Sequence, residues 1–193
     1  MVNRLSASAS EIFAGAIQDY QRGIIVGDRT FGKGTVQSLQ PLNYGSRGDR
    51  LKVTMAKFYR VSGFSNQHAG IVPDIEFPSL IDHDEIGESS LPHALPSDQI
   101  RPARYHRDPM LETNLTYLRT AHEERVDHNP EFQYVKDQMA SIETARAKTK
   151  VSLNWKTRQQ EKKELEQRRL TIENKRREAL GEKPFKTFEE LEA

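Results

Sequence analysis

Ser6-Ala7-Ser8-Ala9-Ser10-Glu11 and, further on, Thr30-Phe31-Gly32-Lys33-Gly34-Thr35-Val36-Gln37 are the stretches on which the reading of this chain turns. The first sets small residues and hydroxyls at the start of a helix. Ile12, Phe13, Ala16, Ile17 and Tyr20 then recur at helical spacing, so a helix over residues 8–21 with one apolar face is expected, stopping at Gly23. The second stretch follows the short apolar run Ile24-Ile25-Val26-Gly27 and presents a lysine between two glycines. Glycines at 32 and 34 let the backbone turn sharply and bring the lysine amine against another segment.

Serine is a weak nucleophile until a base removes its proton. Lysine serves as that base in Ser-Lys variants of the serine triad. It must first be neutral, which requires its pKa to fall from about 10.4 towards about 7–8, and burial drives it that way. Ser8 is the candidate nucleophile and Lys33 the candidate general base. Gln37 lies four residues on, on the same face of an extended stretch, where its amide can accept from the amine and orient it. A nucleophile at a helix N-terminus sits in positive potential, and the Ala9 backbone N–H is the candidate oxyanion donor. The competing reading is purely structural: Ser8-x-x-Glu11 is also a capping box, and Gly-Lys-Gly is also an ordinary exposed turn.

The order and spacing of several motifs together resemble the tail-specific protease family, the carboxyl-terminal processing peptidases, and its Prc-like branch in particular. The residues are Ser6 to Phe13, Val26-Gly27, Thr30 to Gln37, Lys57-Phe58-Tyr59-Arg60 and Gly70-Ile71-Val72-Pro73-Asp74-Ile75. They fall within residues 4–79; beyond that the resemblance is diffuse. It implies a serine endopeptidase that cleaves proteins near their C-termini through an acyl-enzyme. Ser8 would be its nucleophile, Lys33 its base, Gln37 the residue orienting the lysine, and no cofactor is implied. Ser6 and Ser10 match flanking serines, not nucleophiles. The family's signal peptide, its substrate-binding PDZ domain and a glycine-rich second oxyanion donor all precede the nucleophile. With seven residues before Ser8, the chain is read as the C-terminal portion of such a protease, inactive on its own. The implied compartment is the bacterial periplasm. The implied partners are the C-terminal tails of protein substrates, captured by the PDZ domain, with an adaptor protein or self-association as further partners. The alternative is that this polypeptide is a non-catalytic scaffold or interaction module of that protease.

Composition bounds the rest. The 193 residues suffice for one domain or two small ones. Apolar content of 35% against 30% charged residues requires that part of the chain be solvated. A net charge of +1 gives no overall drive to nucleic acid or to membrane surfaces. Without cysteine there are no disulfides or thiolate metal sites, and the six histidines match no compact ligand spacing. No apolar run approaches the ~18 residues of a membrane span.

Along the chain, strands are expected at residues 24–27, 36–42, 51–61 and 71–77, with turn residues at 43–49. The third alternates on one parity (Leu51, Val53, Met55, Lys57, Tyr59, Val61) and reads as half-buried, with Lys57 near the sheet end. Pro73 confines the last strand to an edge or a break. Residues 80–108, with Pro92, Pro96 and Pro102, read as a linker or an irregular segment draped over the core. Asp108-Pro109 and Asn129-Pro130 each supply an N-cap with proline in the first turn. The helices they open carry stripes at Leu111, Leu115 and Leu118 and at Phe132, Val135, Met139 and Ile142, and are expected to pair antiparallel across residues 125–128. Residues 155–180 read as a long charged helix ended by Gly181 and Pro184, with acidic residues interleaved among the basic ones and no aromatic row, hence no nucleic-acid partner. A short helix closes the chain near residues 187–191. The fold class expected is α+β: the C-terminal part of a mixed α/β serine-peptidase core (1–79), a linker (80–108) and an all-α C-terminal region with a long charged helix (109–193).

Overall fold

A computed structural model describes residues 1–42 and 48–192. Most of the expected turn at 43–49 lies outside the described residues. The chain mixes helices with small sheets and divides into two compact units, one of residues 1–77 and 81–119, the other of residues 78–80 and 120–193.

In the first unit, helix α1 spans Ala9–Asp19. Strand β1 (Val26–Gly27) pairs in parallel with β4 (Ile75–Glu76), and Val2 bridges to Gly27 beside them. Strands β2 (Thr35–Pro41) and β3 (Arg50–Lys57) form an antiparallel hairpin with a bulge between Val36 and Gln37. The strands expected at 24–27 and 71–77 are thus two residues long. Pro73 has no N–H to offer a ladder, and the neighbouring backbone is satisfied by Asp74: Ile25 N–H donates to Asp74 Oδ2 at 2.8 Å, and Asp74 N–H donates to the Ile25 carbonyl at 2.7 Å.

The core is small: Ala14, Ile25 and Ile71, with Val2 and Ile17 packed on it. Gly15 lets α1 approach, since a methyl group there would stand 3.2 Å from Ile71 Cδ1. Two burial expectations are corrected. The stripe on α1 is not its buried face: Ile12, Phe13 and Tyr20 are exposed, and Glu11, Ala14, Gly15 and Asp19 point inward. Polar burial is tolerated because the two carboxylates are fully hydrogen-bonded; Asp19 takes Arg60 Nε at 2.9 Å, Arg60 NH2 at 2.5 Å and Ser62 Oγ at 3.2 Å. Likewise Leu51 and Met55 of β3 are exposed and only Val53 and Lys57 are half-buried, because nothing among the described residues covers that face.

Residues 81–108 contain one short 3-10 turn (Glu88–Ser90) and otherwise follow the surface of the first unit as a strap. Phe64 bridges to Gln99, Ile100 N–H donates to the Gly63 carbonyl at 2.9 Å, and Lys57 Nζ donates to the Pro96 carbonyl at 2.6 Å. Helix α2 (Pro109–Asp127) begins in this unit, with Asp108 Oδ1 capping the Met110 amide at 3.1 Å.

In the second unit, α3 (Pro130–Arg146) packs antiparallel against α4 (Trp155–Ala179), and α5 (Phe188–Glu192) against α4. The expected α2–α3 pair is therefore not the main packing. The two helices meet at their turn, where the His122 and Phe132 rings lie edge to face and Gln133 Nε2 reaches the Val126 carbonyl. The α3–α4 contact carries a set of polar pairs: Arg176 forks onto the Glu131 carboxylate at 2.8–3.0 Å, Lys175 meets Asp137 at 2.5 Å, and Tyr134 hydrogen-bonds Glu173. Asn129 and Asn154 cap α3 and α4 with their side chains. No described helix is long and apolar enough to cross a membrane.

Candidate active site

Ser8 stands one residue before α1, in a conformation few non-glycine residues adopt: φ 58°, ψ −113°. Such backbone costs about 1–3 kcal/mol and persists only where the surroundings impose it. Here the imposing group is Glu11. Its side chain is fully buried and four donors converge on it. Oε2 accepts the Ser8 amide and the Lys33 amide, each at 2.9 Å; Oε1 accepts Gly32 N–H at 2.7 Å and Thr30 Oγ–H at 2.5 Å. One carboxylate therefore ties the serine turn to the lysine loop by main-chain bonds, independently of what either side chain does.

The lysine loop is tightly bounded. Thr30, fully buried, also accepts the Ile71 amide on Oγ1 at 2.7 Å. Phe31 N–H donates to the Ser6 carbonyl at 2.9 Å. Gly32 has φ 90°, and a Cβ there would sit 2.8 Å from the His68 carbonyl oxygen, so this turn requires glycine. Lys33 Nζ donates to Gln37 Oε1 at 3.1 Å, and Gln37 Nε2 in turn reaches Thr54 Oγ1 at 3.4 Å on β3. Ala9 is exposed at the first position of α1, where an amide has no intrahelical acceptor. Among the described residues no hydrogen bond joins Ser8 Oγ to Lys33 Nζ. The folded chain thus brings Lys33 to Gln37, and the Ser8 and Lys33 amides to one carboxylate oxygen, while Ser8 Oγ and Lys33 Nζ share no hydrogen bond.

Sequence reasoning missed the supports. Glu11 was visible as the closing residue of the capping box, and it performs that task as well as holding the lysine loop. Thr30, Gln67 and Arg4, all fully buried, carried no pattern of their own. Arg4 Nη1 donates to the Thr30 carbonyl at 2.5 Å, and its other nitrogens reach the carbonyls of Ile86 and His83. Burial and the nearby Arg29 lower its pKa.

A serine on a strained turn at a helix N-terminus, tied to a glycine-flanked lysine, has the make-up of an acyl-transfer site. Residues 1–77 match peptidase family S41, and residues 81–193 match the family described as the C-terminal domain of tail specific protease. The chain belongs to the tail-specific protease family. It is 41% identical to the tail-specific protease of Haemophilus influenzae over 203 aligned residues, which take in 99% of this chain and 29% of that protein. The carboxy-terminal-processing protease of Bartonella bacilliformis is 52% identical over 75 residues, 39% of this chain and 17% of that protein. A solved structure of a photosystem II D1 C-terminal processing protease is 42% identical over 39% of this chain and 19% of its own, with a TM-score of 0.34. The chain thus spans under a third of the length of these relatives.

Proposed function

We propose that this chain forms the nucleophile-bearing part of a serine endopeptidase that cleaves proteins near their C-termini. The observation that supports it best is the shared Glu11 carboxylate, which holds the Ser8 and Lys33 amides 2.9 Å away on a single oxygen. A capping residue alone has no need to grip a loop 22 residues downstream.

In this reading Lys33 Nζ, neutral and oriented by Gln37, takes the proton of Ser8 Oγ as the oxygen attacks the scissile carbonyl. The carbonyl π pair moves to oxygen, and the Ala9 N–H with the α1 dipole stabilises that oxyanion. Collapse of the intermediate breaks the C–N bond. The protonated lysine returns its proton to the leaving amine, and an ester on Ser8 remains. Water, deprotonated by the same lysine, then hydrolyses the ester and frees the serine. No cofactor enters. Residues 1–79 would form the later half of the peptidase core and residues 109–193 a helical region. Capture of substrate tails would fall to a PDZ domain elsewhere in the longer protein, in the periplasm, with an adaptor or self-association setting access.

The test is cleavage of a peptide substrate by a full-length protease carrying this chain, with intact-mass detection of an ester on Ser8. Wild-type activity in the Ser8→Ala protein would sink the proposal. The second reading, a non-catalytic scaffold, draws on the missing Ser8–Lys33 side-chain bond. It predicts that Ser8→Ala changes nothing but association.

A further inference from the structure

The lysine loop is gripped on its other side by a residue that plays no part in the chemistry above. Gln67 is fully buried. Its Oε1 accepts the Gly34 amide at 2.9 Å, and its Nε2 donates to Glu88 Oε1 at 3.1 Å and to the Leu95 carbonyl at 2.9 Å. Every hydrogen-bonding position facing the amide group is thus of fixed sense. A flipped amide would set Nε2 against the Gly34 N–H and its oxygen against a carboxylate and a carbonyl. The contact is close-packed as well: a Cβ on Gly34 would stand 2.6 Å from the Gln67 backbone nitrogen and 3.0 Å from its Cβ. Glu88, itself buried, adds a main-chain bond, its N–H donating to the Phe31 carbonyl at 2.9 Å. Glu11 holds the amides of residues 32 and 33, Gln67 that of residue 34, and Glu88 the carbonyl of residue 31.

We infer that Gln67, braced by Glu88 and Leu95 of the strap, is a positioning residue for the general base Lys33. The inference rests on the Ser8–Lys33 reading above. It makes part of the strap, within residues matched to the C-terminal family rather than to the peptidase family, a support of the active site. A lysine acting as base works over a narrow range of distance, and misplacement by about 1 Å costs on the order of a hundredfold in rate. Two glycines flanking Lys33 supply no stiffness of their own, so rigidity must come from these bonds.

The experiment uses a full-length protease carrying this chain, with peptide cleavage followed against pH. Gln67→Met keeps the length and removes the hydrogen bonds. It is expected to lower kcat by about tenfold or more with KM within about twofold, and to move the acid limb of the kcat/KM profile. Gln67→Glu keeps the acceptor for Gly34 but opposes a carboxylate to Glu88, so its rate relative to the wild type at the same pH should recover as pH falls and one carboxyl takes up a proton. Adding Glu88→Gln should remove that recovery. Unchanged kcat and pH limb in folded Gln67→Met overturn the inference, as does an ordinary pH profile for Gln67→Glu should the methionine variant not fold. Cleavage by the Ser8→Ala protein would instead mark the failure of the dyad reading.

Discussion

Lys33 Nζ lies 3.1 Å from Gln37 Oε1, although the two residues are four apart along the chain. In a regular strand such residues share a face but their Cα atoms stand about 13 Å apart. Lys33 precedes β2, where the chain is not yet held in a ladder, and the register shift opposite Val36 and Gln37 puts the extra residue, Met55, on β3. Parity alone therefore does not explain the contact. The turn at Gly32 and Gly34 and two long side chains together close the gap.

Gln37→Glu should abolish cleavage near neutral pH in a full-length protease carrying this chain, because a carboxylate beside the amine holds it protonated. The loss should ease as pH rises. Gln37→Ala should cost about tenfold in kcat, from lost orientation alone. A pH–rate series separates the two; equal profiles would deny Gln37 its role.

Ser8→Ala should abolish cleavage and Lys33→Ala nearly so, while substrate tails still bind. Lys33→Arg should fail too, since a guanidinium stays protonated and cannot accept the serine proton. Kinetics paired with a tail-peptide binding titration read both effects. Turnover by the arginine variant would remove Lys33 as the base.

Glu11→Gln should destabilise the first unit by about 2–4 kcal/mol in urea unfolding. The four groups facing Glu11 are all donors, and an amide nitrogen placed among them meets like with like. Thr30→Val should cost about 1–3 kcal/mol, leaving the Ile71 amide without its acceptor. A loss of under about 0.5 kcal/mol for both would show that the hub is dispensable.

The second unit should lose stability in alkali. Burial, then the hydrogen bond to Glu173, raises the Tyr134 pKa. The folded state thus binds the phenolic proton more tightly than the unfolded one, so the contribution is present below the unfolded value of about 10 and fades as pH rises through the folded one. Tyr134→Phe should flatten the fall in thermal midpoint from about pH 10 upward. An unaltered slope would assign the fall to other groups.

The α3 N-terminus, strand β3 and the Gly32–Gly34 turn were legible in the sequence because each rests on local chemistry: an Asn cap, alternation, glycine at a forced φ; the Asn154 cap of α4 was not read. The supports were not, beyond the capping box that marks Glu11. Arg4, Glu11, Thr30 and Gln67 act through partners 19–82 residues away, and polar residues carry no periodic mark when buried. Alternation on β3 and the α1 stripe were read correctly as apolar, but sequence periodicity cannot say whether a covering layer lies within the same polypeptide. The helical half misled by proximity: α2 and α3 are neighbours in sequence, while the charged pairs that join α3 to α4 are visible only once 131 meets 176 and 137 meets 175.

Among the described residues the hairpin of β2 and β3 leaves each strand one unpaired edge, with Val36, Leu39, Leu51 and Met55 open to water. A strand in that state recruits others of its kind. Arg50 and Lys52 are exposed on β3 and serve as gatekeepers, since stacking a second copy would bring like charges together. The colloidal behaviour of this polypeptide, prepared alone, should therefore hang on those two cations: Lys52→Val is expected to convert a dispersed preparation into one that scatters light and binds thioflavin.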